Sequence, residues 1–291
     1  MKCLKKLLTA LVVFLLIISI SCAHAAAYVF KTDKDNVSFL LCGIDEEAGN
    51  ADTIIILNSS QGEKSVRLLH IPRDTMIIYG GRRTKINSVF SLSRAKGLSD
   101  SDSLAVFRRY IESFTGLPFD ASFLLTTVSF VNIVDAIGGV DIISEKPIVI
   151  KRSDSTLLKL NVGNNKLSGK DALLFVRHRQ SYIDADLGRI NAQKLFISSF
   201  INKLESLDIS SYLSLIKAVS DSVITDAGVS SLPALLQCFN LFKVQSISFF
   251  TLPGDSVCLD GVWYYKLRYD EVISLLKKLG SNTALGNGAL Q

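Results

Sequence analysis

Short apolar runs alternate with stretches of helical spacing along most of the chain. Residues 37–41, 53–57 and 65–70 read as strands, with Asn58-Ser59-Ser60-Gln61-Gly62 as a hairpin turn between the last two. The runs are continuously apolar, the pattern of strands buried on both faces between helices. Leu104, Phe107, Ile111 and Phe114 recur at helical spacing over 101–114, and Gly116-Leu117-Pro118 stops that helix. A second helix is predicted over 128–137, ended by Gly138-Gly139, and a short strand over 140–143. Residues 151–156 read as a polar surface excursion and 162–165 as a turn. Ser168 starts a helix with Asp171 at its fourth position, close to a capping box. A long amphipathic helix follows over 187–207, then helices near 210–220 and over 232–239. Strands over 244–251 and 262–266 precede a last helix over 269–279, which Gly280 caps. There is no internal repeat, long linker or low-complexity block, so the pattern predicts a single α/β domain.

The start of the chain breaks this pattern. Residues 7–21 form a nearly unbroken apolar run behind Lys2, Lys5 and Lys6. It reads as a secretory signal peptide or as the core of a membrane anchor. Ala23-His24-Ala25 resembles a cleavage site, yet the apolar character continues to Phe30, long enough to span a bilayer. The positive flank keeps the N-terminus in the cytoplasm and sends the body out. Residues 1–30 are therefore the targeting segment, 31–280 the domain, and 281–291 a loose tail. Ser19-Ile20-Ser21 before Cys22 is a poor lipobox.

Composition narrows the classes. Of 291 residues, 48% are apolar and 20% charged, enough for a core and against disorder. The net charge of +5 shows no dense basic stripe, so nucleic acid is not an expected partner. Outside the leader the cysteines are Cys42, Cys238 and Cys258, with no C-x-x-C pair. They are expected to be small buried residues, a Cys238–Cys258 bridge being the alternative. The sequence has no H-E-x-x-H, G-x-S-x-G, P-loop or G-x-G-x-x-G motif, and His70 and His178 read as ordinary core residues.

Four clusters are chemically suggestive. Gly43-Ile44-Asp45 ends the first strand and Asp52-Thr53 begins the second. Two converging carboxylates suit Mg²⁺, which takes one or two of them and completes its shell with phosphate and water. Equally, Asp45 caps a turn and Asp52 merely begins a strand. Ile71-Pro72-Arg73-Asp74 follows a strand end, where ligands bind in open α/β sheets. Arg82-Arg83-Thr84-Lys85-Ile86-Asn87 comes next, behind a mobile Gly80-Gly81 loop that either closes over an anion or is simply solvated. Arg73-Asp74 also reads as a local ion pair. In the fourth cluster Arg177 and Arg179 point the same way if the chain is extended there. Arg189 and Gln193 share a face at the start of the long helix. Three Arg and a Gln there form a candidate pyrophosphate clamp, or a set of surface ion pairs with Asp184 and Asp186.

In series these clusters resemble the LytR-CpsA-Psr family. The motifs run G-x-D, A-D-T, I-P-R-D, K-I-N, D-A-I-G-G-V-D, L-x-G-x-x-A-L-x-x-V-R-x-R and D-x-G-R-x-x-x-Q, in order, from about Val37 to Leu207. A fainter echo continues at Thr225-Asp226 and Thr251-Leu252-Pro253-Gly254. The resemblance implies a three-layer α/β/α domain with a central mixed sheet, preceded by an N-terminal membrane segment and held at the outer face of the cytoplasmic membrane, or secreted if the leader is cleaved. It implies transfer of teichoic acid, capsule or a similar glycopolymer from a polyprenyl-pyrophosphate carrier to peptidoglycan, with Mg²⁺. Asp45 and Asp52 would match the Mg²⁺-binding aspartates. Arg73, Lys85, Arg177, Arg179, Arg189 and Gln193 would hold the pyrophosphate. Asp186 would match an acidic residue near the head group, as a base or as an orienter of Arg, with Asp74 a second candidate base. Apolar walls such as residues 123–130 would house the prenyl chain. Ala51 and Ala192 stand where the family usually has Arg. A non-catalytic lipid binder and a lipid pyrophosphatase are the rival expectations.

Overall fold

The computed structural model describes residues 36–44, 49–60, 65–152, 154–178, 185–228 and 246–281. They pack into two compact units, one of residues up to Thr126 and from Ile224 onward, the other spanning Thr127–Val223.

The first unit is built on a six-stranded mixed sheet. Its strands are β1 (Asn36–Ile44), β2 (Ala51–Ser60), β3 (Ser65–His70), β6 (Ala121–Leu125), β11 (Ile224–Thr225) and β12 (Ser246–Thr251), in the order β11-β6-β1-β2-β3-β12. β1–β2, β2–β3 and β6–β11 are antiparallel, while β1–β6 and β3–β12 are parallel. Leu40, Ile54, Ile56 and Leu69 are fully buried, as the continuous apolar runs require. β2 runs to Ser60, so its last three residues pair with β1 where the sequence reads as turn. Two antiparallel hairpins join the sheet: β4 (Met76–Tyr79) with β5 (Arg82–Lys85), and β13 (Gly254–Leu259) with β14 (Val262–Leu267).

Among the described residues the helices of this unit are α1 (Ser88–Ala95), α2 (Asp100–Thr115) and, at the C-terminal side, α7 (Tyr269–Lys278). α2 is capped by Ser99, which accepts from Asp102 N, and ends at Gly116 in the left-handed conformation. Its apolar face, Leu104, Phe107 and Ile111, is buried in the sheet's core. The short α1 has no forecast in the apolar pattern.

The second unit holds α3 (Thr127–Ala136), β7 (Val140–Ser144), β8 (Ile148–Lys151), β9 (Leu157–Leu160), β10 (Gly163–Leu167), α4 (Gly169–Arg177), α5 (Ala185–Glu205) and α6 (Ile209–Ser222). β7 pairs with β10 and β8 with β9, and Lys151, expected in a surface excursion, is the last residue of β8, paired with Leu157. Ile142, Ile148, Leu160, Ala172, Phe175 and Phe196 are among its core. α4 is capped by Ser168, which accepts from Asp171 N, as the sequence predicts. Its first residue meets α3 closely: Gly169 N donates to Asp135 Oδ1, and a Cβ on Gly169 would lie 2.4 Å from Val131 O. Only glycine fits there, which explains the L-x-G motif physically.

Two expectations change. Arg82–Lys85 is a strand of a tight hairpin, not part of a loose loop, because Gly80 and Gly81 adopt φ of 60° and 76° and close a two-residue turn. Cys258 is exposed rather than buried, while Cys42 is buried. Cys238, the helix expected over 232–239 and most of the tail lie outside the described residues.

Candidate functional site

The first unit gathers a chain of four alternating charges. Arg73 Nη1 meets Asp52 Oδ1 at 2.9 Å, Arg73 Nε lies 3.8 Å from Asp74 Oδ2, and Lys85 Nζ meets Asp74 Oδ1 at 2.9 Å. All four side chains are partly exposed, between 22% and 32%.

Backbone irregularities aim each of them. In the β1–β2 ladder Gly43 faces Thr53 but Ile44 faces Ala51, so Asp52 is the extra residue of a β-bulge. A bulge leaves its residue outside the ladder and redirects the side chain. Arg73 and Asp74 follow the end of β3 in a turn closed by Thr75 N donating to Pro72 O at 3.0 Å, with Thr75 Oγ1 donating to the same carbonyl. Lys85 ends β5, opposite Met76. Asn87 ties these pieces together: its N–H donates to Arg73 O and its carbonyl accepts from Ala51 N. The K-I-N motif was the available signal for that tie, Ile86 being fully buried and Asn87 7% exposed.

Arg73 Nε is buried and has no hydrogen-bond partner among the described residues. A buried donor without a partner costs free energy unless a ligand oxygen supplies one. Asp74 Oδ2 lies 3.8 Å away, so this N–H faces a carboxylate without reaching it, and the 22% of the side chain left exposed is what an incoming anion would meet.

In the second unit Arg177 is the last residue of α4, with His178 leaving the helix in extended backbone. The expectation that Arg177 and Arg179 alternate as on a strand is thereby corrected for Arg177, since a helix end does not follow a two-residue period. Arg177 is exposed, and its Nη2 donates to Thr127 Oγ1 at 3.1 Å, a partner that no motif announced. Gln193 is buried on α5. Asp186 and Arg189 stand in the first turns of α5, but their side chains lie outside the described residues, as do Asp45 and Arg179 altogether. Burial lowers the titration range of His178 and, together with the Asp226 charge, pushes the Cys42 thiol up, so Cys42 is no thiolate nucleophile.

The two alanine departures are both packed in: Ala51 is fully buried in the first unit's core and Ala192 is 2% exposed in the second's.

The model of the LytR_cpsA_psr family matches residues 19–281. This chain belongs to the LytR-CpsA-Psr family. Among its relatives in that family is a protein of Oceanobacillus iheyensis named polyisoprenyl-teichoic acid–peptidoglycan teichoic acid transferase TagU, 27% identical over 82% of this chain and 74% of the relative. Its namesake in Bacillus cereus is 29% identical over 80% and 74%. The solved structure of TagT bound to LIIa-WTA superposes with a TM-score of 0.68 at 25% identity, covering 84% of this chain and 90% of that one. The mixed α/β architecture around a central mixed sheet is the family's.

Proposed function

We propose that this protein transfers a glycopolymer from a polyprenyl-pyrophosphate carrier to a peptidoglycan hydroxyl, forming a phosphodiester. Membership of a family whose relatives bear the teichoic acid transferase name supports the reading. The observation that carries it in this chain is Arg73, held between Asp52 and Asp74 with 22% of its side chain still exposed to an incoming anion. In the reaction the acceptor oxygen bonds to the glycan-side phosphorus, the bond to the bridging oxygen breaks, and polyprenyl phosphate leaves. Arg73 and Lys85 bind the phosphoryl oxygens and stabilise the charge that develops on them. Asp74, engaged by both cations, keeps them oriented. Arg177, Arg179, Arg189 and Gln193 are proposed pyrophosphate ligands on the strength of their motifs, and Asp186 is the proposed acceptor of the hydroxyl proton.

A divalent cation fits this donor set. Among the described residues no three metal-binding side chains converge, which disfavours an all-protein cage. Mg²⁺ needs only one or two carboxylates beside phosphate and water. Asp52 retains 32% of its surface while only Oδ1 is recorded on Arg73, and Asp45 is the second carboxylate proposed. Within this cluster the two carboxylates and two cations cancel, so neutralising a pyrophosphate diester falls to the proposed Arg177, Arg179 and Arg189 and to a bound cation. When bound, the metal would supply that neutralising charge.

The proposal includes a three-layer arrangement and an N-terminal membrane segment over 1–30, which would keep the body at the outer face of the cytoplasmic membrane beside its lipid-linked donor. Among the described residues no helix is long and apolar enough to cross a membrane.

The test supplies the purified chain with a polyprenyl-pyrophosphate glycan, peptidoglycan oligomers and either Mg²⁺ or EDTA. A Mg²⁺-dependent phosphodiester product, reduced about 10²-fold or more in Arg73→Ala and Asp52→Ala, is expected. Free phosphorylated glycan without acceptor linkage would mean a pyrophosphatase. Lipid binding with no product would mean a binding protein.

A further inference from the structure

Trp263 is the chain's single tryptophan, and it stands in β14 with 63% of its surface exposed. Exposed indole is costly to keep in water and is enriched where a flat apolar partner arrives. The strand that carries it is fixed beside the charged cluster. At one end Tyr265 N donates to Asp74 O at 2.8 Å and Thr75 bridges Tyr265. At the other, Arg83 Nη1 bonds Asp260 Oδ2 at 3.0 Å, fastening the β13–β14 turn to the β4–β5 hairpin. Asp260 and Gly261 close that turn with φ of 52° and 75°, a tight two-residue geometry. Trp263 lies between these two ties, on a rigid hairpin fastened to the segments that supply Asp74 and Lys85.

We propose that Trp263 is a stacking platform for a pyranose ring of the glycan being transferred or of the glycan accepting it. This deepens the function proposed above and rests on it. One face of a pyranose presents polarised C–H groups, which the negative face of an indole attracts, while its hydroxyls need donors and acceptors at the rim. A polar rim is present at the turn: the Asp260 carboxylate, largely exposed, and the Arg83 guanidinium that pairs with it.

The lone tryptophan makes the test direct, since intrinsic emission of the full chain reports on this residue alone. The chain, in detergent micelles, is titrated with two probes: an N-acetylglucosamine–N-acetylmuramic acid tetrasaccharide, and a soluble phosphate-linked glycopolymer fragment. A saturable emission change with the first identifies the acceptor, with the second the donor; either supports the site. By calorimetry, Trp263→Ala weakens that probe by about tenfold and Trp263→Phe by no more than about threefold. Unchanged thermal unfolding of both variants shows that the loss is local. Sugar binding without any transfer product leaves the platform standing and removes the transferase reading instead. Emission indifferent to both sugars overturns the proposal. So does emission that responds only to phosphatidylglycerol vesicles and is quenched by brominated lipid.

Discussion

Arg73 does what its residue type allows and lysine does not. Its guanidinium reaches Asp52 with Nη1 and sets Nε toward Asp74, 3.8 Å away, so one planar side chain lies between two carboxylates and keeps 22% of its surface for an incoming anion. Lysine has one nitrogen to divide between them. Arg73→Lys is therefore expected to lose most of what Arg73→Ala loses, roughly 10²-fold in kcat/KM for glycan transfer, at unchanged thermal stability. Transfer within a few-fold of wild type in the lysine variant would show that charge alone suffices at this position. The pairing of Arg73 with Asp52 was not legible beforehand: the sequence offered Asp74 as the local ion partner, and the stronger contact comes from a residue on another strand. The motifs named Asp52 and Arg73 separately, without naming the bond between them.

Elements, rather than single residues, decide where these groups sit. The bulge at Asp52 and the two-glycine turn at Gly80-Gly81 place a carboxylate and Lys85 around Arg73. The edge of the sheet has a comparable device. β11 is only two residues long, and Asp226 just beyond it accepts from Ser122 N at 2.6 Å, Ser122 Oγ at 2.7 Å and Arg108 Nη1 at 2.6 Å. Arg108 in turn bonds Glu112 and the Phe119 carbonyl, so α2, β6 and β11 share one network. Asp226→Ala would leave a partly buried guanidinium short of a partner and strip Ser122 N of its acceptor. A destabilisation of about 2–4 kcal/mol is expected in urea denaturation, with Asp226→Asn costing less. A change below about 0.5 kcal/mol for the alanine variant would mean that the network merely decorates the edge. The faint Thr225-Asp226 echo in the sequence is, on this reading, a structural staple.

At the scale of the whole molecule we propose that the apolar start of the chain sets the place of work. An apolar run behind three lysines, followed by a body carrying cell-wall motifs, predicts a tethered enzyme facing outward. Protease added to intact cells or spheroplasts is expected to remove the body, and a chain beginning at residue 31 without the leader is expected to leave the membrane fraction. A body protected until the membrane is lysed would place it on the cytoplasmic side and remove peptidoglycan as acceptor. The body is divided between two compact units, each with its own core. The alternation of helices and apolar strands foretold the class of fold, but no composition shift marks the change of unit at Thr127 or at Ile224.

The sequence by itself determined the α/β alternation, the Gly116 stop of α2, the Ser168 cap of α4, the family, and which side chains to watch. These depend on local periodicity, on capping residues within four positions, and on motifs that are contiguous in the chain. Tertiary structure alone decided that Arg177 ends a helix and bonds Thr127, that Gly169 is demanded by Val131 O across a helix contact, and that Asp52 leaves the ladder to meet Arg73. Each of these depends on the register between segments distant in sequence. Register is set by the packing of whole faces against one another, and a window of neighbouring residues does not contain it.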